Sequence, residues 1–225
     1  MAPLHVPPRV RAALPWGLAG AAALFALLAH QVATEGPWVS VDGRLEAWLA
    51  EGPAEVRSGL GLLATLPGAQ PLLAAVIAAC VVALWLQGRR GLAAGVGATA
   101  LAGEAAVFLL KEAFHRTRAA VGESGHSFPS GHATRTTLDY GLVVLLALGP
   151  WRARMPRWAR RAAVPAWLAL VAVVDAGRVV AGHHWLGDVL AGNALGALLL
   201  GAFALAWDEA GRRGRLSGEG GPSAP

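Results

Sequence analysis

The sequence is short of charge and of the residues that cross-link a secreted fold. Of its 225 residues only 15% are charged, against roughly 25% in soluble globular proteins, so an ordinary soluble domain is excluded. One cysteine, Cys80, rules out an intrachain disulfide framework. The 29 glycines and 14 prolines are mostly dispersed in apolar stretches and too few for a collagen-like or disordered chain. Lysine is almost absent too: Lys111 is the only one among 19 basic residues. The net charge of +5 could suggest nucleic acid. Yet the arginines cluster between apolar segments, where the positive-inside rule accounts for them, and no nucleic-acid partner is expected.

What is present is apolar: 55% of the residues are hydrophobic. A membrane-crossing helix takes about 20 apolar residues, so six of them would use roughly 120 positions. The chain is long enough for that and for little else. After Arg9 and Arg11, residues 14–33 carry no charged side chain apart from His30 and read as a first span. A cleaved signal peptide is the alternative; the stretch is longer than a typical signal h-region and no clear cleavage site follows, so a retained helix is expected. Residues 34–57 turn polar and acidic and read as a loop, with a short interfacial helix around 45–49. The apolar region 58–87 is interrupted by Pro67-Gly68 and Pro71, its surest spanning part being 71–86. Further spans are expected at 91–110, 130–148, 162–180 and 185–207, with a polar loop at 112–129.

The expected fold is therefore all-α, a polytopic bundle of six transmembrane helices. A basic cytoplasmic N-terminus (1–13) precedes the membrane domain (14–207), and a disordered cytoplasmic tail (208–225) follows it. Arginine near span ends marks the cytoplasmic side. The N-terminus, Arg89-Arg90, the run Arg152, Arg154, Arg157, Arg160 and Arg161, and the tail all fall on one side of a six-span layout. The loops at 34–57 and 112–129 and the turn near Gly182 then share the outer face. Seven of the nine tryptophans lie near span ends, as interfacial anchors should.

Nearly every residue capable of chemistry belongs to that outer face. Lys111 and Arg118 stand six residues apart at the exit of the third span. Taken alone they are read first as a snorkelling lysine with solvated arginines, and otherwise as an anion clamp. The run Ser127-Phe-Pro-Ser-Gly-His132 leads straight into an apolar helix, so Ser130 and Gly131 would offer hydroxyl and backbone N–H groups at a helix N-terminus, a ready anion site. His132 would project beside that anion and could protonate a leaving group. A second Ser-Gly-His triplet ends at His126, but no apolar helix follows it directly, and His126 is expected not to react. Further on, Asp188 follows His184 by four residues, on one helical face if the last helix has begun. A carboxylate on one imidazole nitrogen fixes the tautomer and leaves the other as nucleophile or base. His183 lacks such an acid, since Gly187 stands four residues on. Arg178 adds another anion-binding fork. A metal site at His183, His184 and Asp188 is the competing reading, but three basic groups facing one pocket repel a divalent cation and attract phosphate. Phosphoryl transfer fits better.

Lysine-six-arginine, Pro-Ser-Gly-His and arginine-five-His-three-Asp, in that order, resemble the three signature motifs of the type 2 phosphatidic acid phosphatase superfamily. The motifs span residues 111–188, and the six-span layout extends the likeness over nearly the whole chain. Two positions depart from the pattern: Ala119 stands where that family usually has proline, and Gly177 where serine is common. The resemblance implies an integral-membrane lipid phosphatase of a bacterial inner membrane, its site facing the periplasm. In it His184 would attack phosphorus to form a phosphohistidine, Asp188 would orient His184, and His132 would protonate the leaving oxygen. Lys111, Arg118, Ser130, Gly131 and Arg178 would bind the phosphate oxygens. No metal or other cofactor is implied. The substrate would be a lipid phosphate such as undecaprenyl pyrophosphate, phosphatidylglycerol phosphate or phosphatidic acid, the first being preferred. The rival from another class is a non-catalytic transporter or binding protein for an anionic lipid or phosphate, using the same basic pocket.

Four further polar residues fall inside expected spans. Glu104, Arg135, Asp139 and Asp175 are expensive in a bilayer and should face the bundle interior or a partner. Arg135 and Asp139 are four apart and could pair.

Overall fold

The computed structural model describes residues 8–119 and 125–218, and within them the chain is helical, with no strand. The helices are α1 (Pro8–Ala33), α2 (Pro37–Ala50), α3 (Ala54–Thr65), α4 (Gln70–Leu86), α5 (Arg90–Phe114), α6 (Gly131–Leu148), α7 (Arg157–Val180) and α8 (Leu186–Gly218). Two short 3-10 turns, Leu66–Gly68 and Arg152–Arg154, punctuate them.

The distribution of polarity is the reverse of a soluble bundle. Leu24 and Leu27 of α1, Leu72 and Val82 of α4, Leu101, Phe108 and Leu109 of α5, and Leu168 and Val173 of α7 are exposed. Thr134, Thr136, Asp139, Arg178, His184 and Asp188 are buried. An outer surface this apolar would drive aggregation in water and is the expected one in lipid. Among the described residues α1, α5, α7 and α8 are each long and apolar enough to cross a membrane, and α4 is apolar but shorter. The protein is a multi-pass membrane protein. Helix α6 is less apolar, carrying Thr134, Arg135, Thr136, Thr137, Asp139 and Tyr140; being packed inside the bundle, it has no need of an apolar surface all round.

Helices α6 and α8 form the centre. Ser130 and Ala133 face Gly192, while Thr134 and Thr137 face Gly196, so the two helices run parallel and in close contact. A Cβ at Gly192 would fall 2.6 Å from the Ser130 carbonyl oxygen and 3.0 Å from the Ala133 Cβ. Small residues four apart let two helix backbones approach, which is the main packing device when lipid supplies no hydrophobic driving force. Gly192→Val should force the pair apart at the N-terminus of α6, costing about 1–3 kcal/mol and lowering the thermal midpoint in detergent. Gly97→Ala, whose nearest neighbour would be Val81 at 3.6 Å, should leave it unchanged.

Around this pair, Ile77 and Leu84 of α4, Leu92 and Val96 of α5, Leu138, Leu142 and Leu146 of α6, and Phe203 of α8 form the main apolar cluster. Helix α1 lies antiparallel to α8. At one end Arg11 pairs with Asp208 at 3.1 Å; at the other Leu28 packs with Phe128 and Ala191.

Two expectations are corrected. Residues 34–57 are largely helical, forming α2 and the start of α3. Their polar composition hides this, because α2 is tied down by a tertiary contact, its buried Asp42 accepting the Gly187 N–H at 2.9 Å. The interruption expected within 58–87 is present: α3 ends at Thr65, and α4, with proline in its first turn, covers the expected 71–86. The break lies beside α6, with Gly68 buried and Leu66 exposed, and there Tyr140 donates its hydroxyl to the Pro67 carbonyl at 2.9 Å, which satisfies backbone freed from helical bonding. Lastly, α8 continues past Trp207 to Gly218, well into the segment expected to be disordered. Its Asp208 is buried against Arg11 and is 3.4 Å from Arg212. Residues 219–225 lie outside the described residues.

Candidate active site

The loops expected to share one face do meet at one end of the bundle. At the opposite end Trp151 and Arg154 both reach the Gln87 side chain, at 3.2 and 3.4 Å, joining the loops that follow α4 and α6.

The site begins with the turn from α7 into α8. The Arg178 carbonyl accepts the N–H groups of His183 and His184 at 3.1 and 3.2 Å. Gly182 sits between them with φ +72°, a left-handed conformation that favours glycine. The turn buries His184 to 2% exposure and presents its Nδ1 to Asp188 Oδ2 at 3.4 Å, the outer limit of a hydrogen bond. The same Asp188 oxygen accepts the Trp185 N–H at 3.1 Å, closing the first turn of α8. Nδ1 thus faces the carboxylate, and Nε2 is the nitrogen left for chemistry. Burial, against the opposing pull of Asp188, brings the His184 imidazole down to about 4. It is therefore neutral at pH 7, as a nitrogen nucleophile must be.

Facing this turn is the N-terminus of α6. Phe128 is fully buried, its ring 4.8 Å from Phe114 and 6.0 Å from Phe25, which anchors the chain just before the helix. Ser130 caps α6, its Oγ accepting the Ala133 N–H at 3.4 Å, and its own N–H donates to the Asp188 carbonyl at 2.9 Å. That bond couples the start of α6 directly to the start of α8. Gly131 and His132 are the first residues of α6, where leading N–H groups have no intrahelical acceptor.

The cations converge on the same place. Lys111, in the last turn of α5, is within Coulombic reach of Arg118, Arg135, Arg178 and Asp188. His132 is within reach of Arg178, Arg135, His184 and Lys111. Arg118 donates to the His183 carbonyl at 3.1 Å, and Arg178 is buried beneath the site. All eight residues singled out from the sequence, His184, His132, Asp188, Lys111, Arg118, Ser130, Gly131 and Arg178, are brought to this end of the bundle. His126 stands apart, its Nε2 2.8 Å from His115 Nδ1.

Two residues here escaped the sequence reading. Arg116 donates to Asp188 Oδ1 at 2.6 Å and to Asp42 Oδ2 at 2.8 Å, and it lies over the Trp185 ring at 5.3 Å. Asp42 is 1% exposed. Burial pushes its carboxyl up, and Arg116 and the Gly187 N–H pull it back. Arg116 was visible as a member of the lysine-six-arginine stretch, but nothing local distinguishes it from Arg118. The pairing of Arg135 is also corrected: it binds Glu104, with its second contact at 3.1 Å, and not Asp139. Asp175 accepts from Asn193 at 2.6 Å, and Asn193 in turn accepts from Thr137 at 2.8 Å, so this acid does face the bundle interior.

Helices α5 to α8 also carry the likeness to known proteins, for a model of the PAP2 superfamily matches residues 92–212. The chain belongs to the PAP2 superfamily. The structure resembles the crystal structure of a transmembrane PAP2-type phosphatidylglycerolphosphate phosphatase from Bacillus subtilis, with a TM-score of 0.70 and 23% identity over 87% of this chain and 97% of that one. At that identity the likeness speaks for the fold. No curated relative matches the sequence significantly. The PAP2 match starts after α1 to α4, so Asp42 lies outside it, and the Arg116–Asp42 ion pair ties the matched region to the helices before it.

Proposed function

We propose that this PAP2 protein is a membrane lipid phosphatase acting through a phosphohistidine. The observation that carries the reading is a buried His184 oriented by Asp188, at the end of the bundle where Lys111, Arg118, Arg178 and the N-terminus of α6 come together. A dianionic phosphate in that pocket would be held by these cations and by Ser130 and Gly131. Its charge beside His132 would favour the imidazolium form there. His184 Nε2 attacks phosphorus, the bond to the leaving oxygen breaks with its electron pair on that oxygen, and His132 delivers the proton. Neutral His132 then takes a proton from water, whose oxygen attacks the phosphohistidine, returning free His184 and inorganic phosphate. The cations stabilise the charge that develops on the equatorial oxygens.

Six membrane crossings, with α3 and α4 together making one of them, would place this end at the outer face of the inner membrane. The positive-inside distribution of arginine supports that orientation. The substrate is a lipid phosphomonoester or pyrophosphate, with undecaprenyl pyrophosphate first, then phosphatidylglycerol phosphate and phosphatidic acid. Phosphate release from each of these, measured with the detergent-purified protein, tests the proposal and ranks the headgroups. Orthovanadate, which can adopt the trigonal-bipyramidal shape of the transition state, should inhibit, and EDTA should leave the rate within about twofold of the untreated enzyme. Chelator-sensitive activity restored by a divalent metal in the His115→Gln/His126→Gln double variant would overturn the metal-independent mechanism.

A further inference from the structure

The histidine that the phosphatase reading leaves idle belongs to a second cluster. Glu112, in the last turn of α5, and His115, the residue that caps it, stand three positions apart. His115 caps the helix in a left-handed conformation, φ 48°, its N–H bonded to the Lys111 carbonyl at 3.0 Å. His126 comes from the far side of the loop to meet it, with Nδ1 of one ring 2.8 Å from Nε2 of the other and the rings edge to face at 80°. The ligand atoms of Glu112, His115 and His126 all lie within 4.8 Å of one another. Among the described residues this is the grouping of three metal-ligating side chains, and it does not include His183, His184 or Asp188.

We propose that Glu112, His115 and His126 form a site for a zinc-like divalent cation. Two imidazoles and one carboxylate, with a fourth position open to water, are a donor set for zinc and its borderline neighbours, not for magnesium or calcium, which require oxygen ligands. Donors around a tetrahedral zinc, bonded at about 2.0–2.2 Å, stand about 3.3 Å apart. The two nitrogens must therefore open slightly and the carboxylate close, movements open to Glu112 and His115, both exposed at the surface. Of the neighbouring cations, Arg116 is bound to Asp42 and Asp188 and Arg118 donates to the His183 carbonyl, while Lys111 is assigned to the phosphate. The ion would cross-link the end of α5 to the residue preceding Ser127. Ser127 itself is held by the Arg116 and Thr117 carbonyls at 2.8 and 2.9 Å, so the ion would close the ring that carries Arg116 and Arg118. This site serves order, not phosphoryl transfer, and stands whether or not the phosphatase proposal does.

The test uses the full chain in detergent, free of any polyhistidine tag and stripped with EDTA. Zinc sulfate titrated calorimetrically should bind at one equivalent and raise the thermal midpoint, cobalt chloride should give tetrahedral visible bands, and magnesium chloride should do neither. His126→Gln and Glu112→Gln should each weaken zinc binding by at least about tenfold, while their thermal midpoints in EDTA match the parent. The His115→Gln/His126→Gln double variant should lose binding. Zinc binding that survives in the double variant, or that disappears in His184→Ala instead, overturns the proposal. So does an absence of zinc binding by the parent chain.

Discussion

Replacing His184 with alanine should reduce phosphate release from a lipid phosphate by at least about 10⁴-fold, because it removes the atom to which phosphorus is transferred. Alanine leaves the basic groups of the pocket in place, so binding of the lipid or of inorganic phosphate should persist. That split separates the phosphatase from a transporter or binding protein, for which His184→Ala would be nearly silent. A covalent intermediate gives a second readout. Rapid quenching of turnover on labelled lipid phosphate into alkali should leave label on the parent chain and none on His184→Ala. His132→Ala should keep the nucleophile but slow turnover by about 10²–10⁴-fold, the usual contribution of a proton donor. Full activity in His184→Ala would sink the mechanism.

Arg116→Met should be the next most damaging change, although Arg116 has no assigned contact with substrate. It is the shared counterion of Asp42 and Asp188, whose side chains are both fully buried. Removing one partner from a buried ion network leaves uncompensated charge and costs about 3–5 kcal/mol. The thermal midpoint should fall steeply. The catalytic signature should be a lower kcat with little change in KM, since Asp188 would lose the contact that holds it against His184 while the phosphate-binding cations remain. Asp42→Asn removes one of the two acids and should cost less. In the Asp42→Asn/Arg116→Met double variant the loss should be smaller than the sum of the single losses, since the two residues share one interaction. Strict additivity, or a parallel rise in KM, would show that Arg116 does not act through Asp188.

The division between legible and illegible residues follows from the range of each interaction. The Asp188 carboxylate opposite His184 is an i,i+4 relation on one short segment, and Ser130 as a helix cap is a three-residue relation. Both can be seen without a fold. The spans at α5 and α7 were legible for the same reason, each being a run of apolar residues closed by charge, proline or glycine. The Asp42–Arg116–Asp188 network joins positions 74 and 72 residues apart, and no local pattern marks which of several acids in residues 34–57 would be buried. Arg135 shows the same limit from the other side. Its neighbour four residues on, Asp139, was the locally obvious partner, but the packing of α5 against α6 brings Glu104, 31 residues earlier, within bonding distance.

By itself, then, the sequence determined that this is a membrane bundle and picked out eight residues that the fold brings to one end of it, because hydropathy and motif spacing are properties of the chain. Only the tertiary structure decided what holds that site in shape. The parallel contact of α6 with α8 through Gly192 and Gly196, the Tyr140 bond to the break between α3 and α4, and the Arg116 bridge to an acid on α2 depend on which helices are neighbours. In a bilayer that choice rests on close packing and buried polar pairs, with little hydrophobic preference to reveal it in the sequence.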